Sequence, residues 1–484
     1  MIDPAIRRPL LADAVFSRLM DALTGGSFLA GLGLLVGADN LGLAVLASLP
    51  FLAQVAQLPA VAILLKWTDR RRIVLWTAGA SRTLLLVIAL LLVASPAAVT
   101  ETLLIGVLGA AALLTVVATA AWNWWIRDLI PTRELGSFFG QRLRGATFAT
   151  LGTILLAGAM LDRFIQGGHS PWGYAVLFGA GGLAGLLGLV ALARTPHVRP
   201  PPSPSAAGSL RRIPLALKSA PRLLVTSLSM ASVAATFALP FTAVYLLRGV
   251  GYSFLAVTTM AVTSQLAYLA GLRGWALISD KHGDRSLLSI SMGILAFTMA
   301  GWSLAGWSAG PSLFAALLVL HFLAGFALGG IELASTNLLL RSAPSGNEAA
   351  HLAGISFVRA AASGVGVLAA GAIWQSIGAG VLWTGTIPGL GGWEFRGFQL
   401  LCVVSLGLCL AAGLAVARMQ DPQGRRIVDV ARAMRREVHQ MSSVAGIRGL
   451  IHAVSYSVEL MAWPFAARQA RKDKPAPDED RDRT

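Results

Sequence analysis

Runs of about 20 apolar residues recur along almost the whole of this 484-residue chain. A run of that length crosses the hydrocarbon core of a bilayer as an α-helix. No other feature narrows the fold so far, because backbone N–H and C=O groups in lipid need internal partners, and only helices and closed barrels supply them. Runs this long are helical. With 55% hydrophobic and 13% charged residues, the composition lies well outside that of soluble domains. The predicted fold is an all-α membrane protein. Twelve spans are placed at about 14–36, 41–65, 73–95, 100–124, 144–165, 172–193, 222–246, 253–278, 287–308, 311–340, 353–378 and 396–417. The span at 311–340 is long and reads as tilted or broken.

Charge sets the orientation. Nearly all of the 39 Lys and Arg residues fall in the N-terminus, the even-numbered loops and the C-terminal tail, and only Arg163, Arg248 and Arg396 lie in the opposite loops. Basic loops stay cytoplasmic, which predicts a bacterial inner (plasma) membrane protein with both termini cytoplasmic. The same asymmetry accounts for the net charge of +16. Basic residues scattered over many short loops do not form a nucleic-acid footprint, so no nucleic-acid partner is expected. Arg18 and Asp21 in the first span argue against a cleavable signal peptide. Cys402 and Cys409 are seven residues apart on one helix; they cannot bridge each other and read as packing residues.

A weak internal repeat at an offset of about 211 residues divides the chain. Gln54–Asp69 reads QVAQLPAVAILLKWTD, and Gln265–Asp280 reads QLAYLAGLRGWALISD. Asn123 and Arg127 recur as Asn337 and Arg341. Two related membrane halves are a signature of secondary transporters, with the substrate site between them. The predicted organisation is a six-helix bundle at 1–194, a Pro/Ser/Arg-rich cytoplasmic linker at 195–221, and a second six-helix bundle at 222–420. At 421–466, Ile427, Val430, Met434, Val438 and Met441 follow helical spacing, with Arg425, Arg432, Arg435 and Arg436 on other faces. Two readings fit: basic helices on the anionic lipid of the inner leaflet, or helices packed on the protein's own loops. The mostly charged stretch at 470–484 reads as disordered.

The two halves, the central linker and the charged turns after spans two and eight resemble the major facilitator superfamily (MFS) over roughly residues 10–420. The most specific element is Asp280-Lys281-His282-Gly283-Asp284-Arg285. The Asp, Lys, Gly and final Arg fit that family's loop motif, whereas Ala276 replaces its first Gly and Asp284 replaces a basic residue. The first-half copy, Asp69-Arg70-Arg71-Arg72, lacks both glycines. The resemblance implies a cytoplasmic latch made by Asp69, Arg72, Arg127, Arg144, Asp280, Lys281, Gly283, Arg285 and Arg341, closed when the cavity faces outward. An Asp at a helix end can accept from a neighbouring helix N-terminus or pair with Arg. Arg127, Arg142 or Arg144 are the partners open to Asp69, and Arg341 or Arg359 those open to Asp280. The alternative is that these residues only set topology. Span five lacks the Gly-Pro element of many drug antiporters in the family.

Ionisable residues inside spans are costly and mark function by default. Asp21 in span one and Glu332 in span ten are proton-coupling candidates, with His321 a third. An Arg18–Asp21 structural pair also fits, since the two are three residues apart on one helix. Arg18, Gln54, Gln57, Gln265, Tyr268, Asn337, Arg359 and Trp374 are candidates for lining a substrate cavity. Gln54 and Gln265 occupy repeat-equivalent positions, where a buried amide needs a partner.

No nucleotide-binding loop, metal-ligand cluster or nucleophile motif is found; neither enzymatic activity nor a cofactor or metal is expected. The leading expectation is a secondary active transporter of a small solute working by alternating access, coupled to protons, with efflux favoured. An uptake permease for a sugar, organic acid or peptide fragment is the alternative within transport. A transporter-like assembly scaffold is the alternative outside it.

Overall fold

A computed structural model describes residues 3–57, 60, 69–130, 132–196, 213, 217–218, 220–306, 311–344, 348–378, 380–387 and 391–419. The helices of the first half are α1 (Pro4–Thr24), α2 (Gly26–Leu35), α3 (Asn40–Val55), α4 (Arg70–Ala94), α5 (Glu101–Leu129), α6 (Thr132–Gln166) and α7 (Ser170–Ala193). The second half begins with α8 (Arg222–Phe237). A 3-10 turn (Leu239–Phe241), a short α segment (Thr242–Val244) and a π-helical stretch (Tyr245–Val250) continue it. Then come α9 (Phe254–His282), α10 (Asp284–Leu304), α11 (Pro311–Arg341), α12 (Glu348–Ile377) and α13 (Gly397–Ala417). With α1 and α2 forming one span, and α8 and its continuation another, the described helices account for the twelve predicted spans. The linker at 195–221 lies mostly outside the described residues, and the C-terminal segment at 421–484 wholly so.

Local sequence sets the helix ends. Asp39, Asp69, Thr100 and Ser253 accept N–H groups in the first turns of α3, α4, α5 and α9, as N-caps do. The span at 311–340 is one continuous helix, α11. α6 starts well before the predicted span five, at Thr132.

The helical prediction misses one element. Val381–Ile387 and Gly391–Arg396 pair as an antiparallel hairpin, β1 and β2, between α12 and α13. It is fastened to the end of α10 by Glu394 N–H to the Gly306 carbonyl (2.9 Å) and Trp393 Nε1–H to the Leu304 carbonyl (3.0 Å).

Each half packs as its own bundle. α1 and α4 pack on α7, and α5 on α4 and α3; α9 packs on α11, α10 on α13, and α8 on α12 and α13. Glycines let these helices approach. A Cβ at Gly325 would stand 1.9 Å from the Ser264 carbonyl oxygen, and one at Gly182 2.6 Å from Leu86. Such small-residue contacts hold helices together in lipid, where apolar burial gives little drive. The bundles meet mainly along α3 with α12 and α6 with α9.

Candidate functional site

Two spans are broken where the bundles face each other. No main-chain hydrogen bond bridges Gly25, between α1 and α2. Gly26 adopts φ +54, in the left-handed region that favours glycine. A Cβ on Gly25 would lie 2.8 Å from the Asp21 carbonyl oxygen. The second break is at Ala238, just before Pro240, whose ring removes a donor and stops the α-helical ladder. The breaks fall at nearly the same offset as the sequence repeat. Together they line a cavity of about 430 Å³ with Gly25, Gly26, Ser27, Leu239, Pro240 and Phe241 on its wall. Discontinuous helices facing one space free backbone polar groups for a ligand.

A second cavity, of about 640 Å³, shares Gly25, Leu29, Leu46 and Pro50 with the first. Its polar lining is Asp21, Thr24, Gln54, Gln57, Ser81, Thr115 and Thr119. Asp21, Arg18, Gln54, Gln265 and Glu332 are exposed in the protein. Glu332 lies one helical turn from Leu328, which lines the first cavity, and Gln265 one turn from Ala261, which also lines it. The charge of Arg18 acts on Asp21 and on Tyr268, and that of Glu332 on Tyr268 and Arg359. Groups from α1, α9, α11 and α12 therefore share one electrostatic neighbourhood. His321 lines the first cavity, with its Nδ1 donating to the Leu317 carbonyl at 2.9 Å.

A third cavity of about 230 Å³ adjoins the second at Met20, Asp21, Ser81, Thr115 and Thr119. Its floor is a buried ion-pair network. Arg82 is 6% exposed and Asp13 3%. Arg82 donates to the Gly185 carbonyl (2.6 Å), to Ser17 Oγ (2.9 Å) and to Asp13 Oδ1 (3.2 Å). Arg142 stands 3.6 Å from the other Asp13 oxygen, with its guanidinium 4.1 Å over the Trp122 ring. Gly185 and Gly188 leave room for the Arg82 side chain.

The bundles close against each other at the end opposite the one where α1 begins. Both Asp162 oxygens, on α6, accept main-chain N–H groups at the start of α9, Phe254 at 2.7 Å and Leu255 at 2.8 Å. Asn40, at the start of α3, receives its N–H bond partner from α12, where Gln375 Oε1 accepts at 3.0 Å. Arg248 donates to Asn40 Oδ1 and stacks over Trp374 at 5.5 Å. A Cβ on Gly158 would clash with Thr258 across this contact.

The family model described as Major Facilitator Superfamily matches residues 14–366. This chain belongs to the major facilitator superfamily. Among solved structures, this MFS protein is similar in fold to a mutant of the nucleoside transporter NupG, at 12% identity and a TM-score of 0.66, with 85% of this chain and 98% of that one covered. It is similar to a bacterial homologue of the human lysosomal transporter Spinster, solved inward-facing and unoccupied, at 14% identity and 0.62, covering 86% and 97%. It is also similar to a D-xylose-proton symporter, at 15% identity and 0.60, covering 87% and 98%. A comparison with curated protein sequences returns no match.

The contacts described for the charged turns of this MFS protein lie within each bundle. Asp280 is exposed and makes no ion pair with a described residue. The carboxylate beside Arg341 is that of Asp284, at 3.2 Å, and it also accepts from Asn337 at 2.9 Å. Asp284 is the very residue that departs from the family's motif. Asn337 is thereby engaged within its bundle rather than presented to a cavity. Asp69 caps its own helix and pairs with Arg72 at 3.0 Å. The side chains of Arg127 and Arg144 lie outside the described residues. Arg285 donates to the last carbonyl of α13, Ala417, and Arg71 to the last carbonyl of α7, Ala193. In each bundle, then, the turn after the second span ties down the C-terminal end of the sixth, where a cation meets the helix dipole. Lys281 is exposed, and Gly283 takes φ +82 between α9 and α10. Arg359 donates to Ser232 at 2.9 Å within its bundle, and Trp374 is buried at the closed end.

Sequence reading missed Asp13, Arg82, Asp162 and both helix breaks. Arg82 is a lone cation in an otherwise apolar run, which is a usable signal. Gly25-Gly26 and Leu239-Pro240 are legible breakers at repeat-related positions.

Proposed function

We propose that this MFS protein is a proton-coupled secondary transporter that moves a small solute by alternating access between bundles 1–194 and 222–420, joined by the linker 195–221. The observation that carries the reading is the asymmetry of the interface. Inter-bundle hydrogen bonds from Asp162 and Asn40 seal one end, while Asp21, with Gln54 and Gln57, faces a cavity elsewhere. A scaffold needs no such cavity, and an apolar filling between the bundles would have favoured that role. With the termini cytoplasmic, the sealed end faces outward and the state is inward-facing.

Asp21 and Glu332 are the proposed proton carriers, one per bundle. Neutralising a carboxylate lowers the cost of closing a dry cavity around it, which links proton binding to the change of state. Efflux is the proposed direction, because the carboxylates stand on the side of the cavity nearer the cytoplasm. Uptake of a sugar, organic acid or peptide fragment is the alternative. The basic segment at 421–466 is proposed to rest on anionic lipid.

The test is a solute screen in proteoliposomes with and without an imposed pH gradient. Asp21→Asn or Glu332→Gln should abolish gradient-driven accumulation and spare counterflow exchange. Normal accumulation by both variants refutes the assignment of the carriers. An absence of flux for every solute class refutes transport.

A further inference from the structure

The β1–β2 hairpin has two unlike faces. Side chains alternate along a strand, and directly paired residues share a face. Trp383 stands opposite Phe395 and Gly385 opposite Trp393, so three aromatic side chains lie on one face. Thr384 stands opposite Glu394 on the other. The only charged residues of Val381–Arg396 are Glu394 and Arg396, and they pair with each other, Arg396 Nε donating to Glu394 Oε2 at 2.9 Å. The hairpin therefore carries no net charge.

Its seat gives the aromatic face a direction. Trp393 donates to the Leu304 carbonyl, and a Cβ on Gly306 would lie 2.8 Å from its indole nitrogen, so this face is set against the end of α10. The Leu304 side chain is 57% exposed, and Phe297, two turns earlier on the same side of α10, is exposed as well. These two belong to the stripe that α10 shows to lipid. Trp383 shares the face of Trp393 but is 71% exposed, so no described element covers it. The aromatic face thus continues the lipid-facing surface of α10, with the polar face turned away.

The chain holds the hairpin at this depth. Residues 378–380 alone separate β1 from α12, and α13 starts directly after Arg396. A two-stranded sheet also has outer edges that pair with no further strand. Hydrocarbon would leave their N–H and C=O groups unsatisfied, whereas the hydrated interface supplies partners. Trp172, exposed at the start of α7, stands at the same end. Indoles collect at that level because one part of the ring is apolar and the N–H stays wet.

We propose that the β1–β2 hairpin lies in the interfacial layer of the leaflet at the sealed end, its aromatic face with Trp383 against the lipid and its Thr384–Glu394 face in water. The bilayer then holds the ends of α12 and α13 at a fixed depth. This is independent of which solute the protein carries.

The experiment uses the full-length protein in phosphatidylcholine–phosphatidylglycerol vesicles, with a nitroxide at Trp383→Cys, Thr384→Cys or Leu410→Cys. Cys402 and Cys409 are buried, so they escape the label. All three sites are exposed, and substitution there leaves the fold intact. Power saturation measures collisions with oxygen, which concentrates in lipid, and with a nickel chelate, which stays in water. The oxygen-to-nickel ratio at 383 should be severalfold above that at 384 and below that at 410, which lies on α13. Equal, nickel-accessible values at 383 and 384 would place the hairpin in water and overturn the proposal. Protection of 383 from both reagents would mean that protein covers it, a second copy of the chain included, and would overturn it too. Ratios as high at 384 as at 410 would bury both faces in hydrocarbon and refute the interfacial position.

Discussion

Asp162→Asn is the sharpest probe of the closed end. In the wild type both carboxylate oxygens accept N–H groups across the bundle interface, at 2.7 and 2.8 Å. Hydrogen bonds to a charged group contribute about 1.5–3 kcal/mol each. Asparagine keeps one acceptor and turns an amide toward the other N–H, so one bond is lost and the other becomes neutral. The Leu255 bond is exposed, which lowers its share. A loss of about 1.5–3 kcal/mol in the closed state follows, or about 10- to 100-fold in the ratio of open to closed at this end. α9 itself stays capped, because Ser253 Oγ still accepts from Ala256 at 3.2 Å. The change therefore falls on the interface and not on the helix. Double electron–electron resonance between spin labels at Ser170 and Leu382, both at this end, reads the ratio directly. The expected result is a new long-distance population in the variant. An unchanged distance distribution in detergent and in bilayers would refute the idea that Asp162 holds the bundles together.

Three further outcomes are expected. Arg82→Leu leaves Asp13 with the Ser17 hydroxyl, at 3.1 Å, and the more distant Arg142, at 3.6 Å, and should cost about 3–5 kcal/mol; the Asp13→Asn, Arg82→Leu double variant should cost less than the sum in detergent melting, and additive losses would show the pair to be uncoupled. Asp284→Asn should destabilise the protein by about 2–3 kcal/mol through the loss of a buried charged partner of Arg341 and Asn337, whereas Asp280→Asn should stay within about 0.5 kcal/mol, as exposed sites do; the opposite ranking would sink the assignment. Thr100→Cys should label from outside in intact cells and Pro200→Cys only after permeabilisation, and the reverse pattern refutes the orientation.

The sequence by itself determined the spans and their pairing into two related halves. Apolar length is a one-dimensional quantity, and lipid admits one solution to it once barrels are excluded. The apolar signal even survives where a span is broken: α1 with α2, and α8 with its continuation, each form one apolar run in the sequence. The breaks were written at Gly25-Gly26 and before Pro240, but the fact that both open onto one cavity with Trp302 and His321 depends on six helices meeting in space. The β1–β2 hairpin was lost for a similar reason, since its strands are short and are held by the end of α10. Charge partners were the least legible. Asp280 and Asp284 are four residues apart in one turn, and only the fold decides that Asp284 is turned inward to Arg341 while Asp280 is left in the open. Arg82 reads as one more residue on an apolar helix until α1 and α7 bring Asp13, Ser17 and the Gly185 carbonyl around it. A span needs only its own residues to satisfy its backbone. A buried charge needs partners from other helices, and sequence spacing carries no record of which helices will meet.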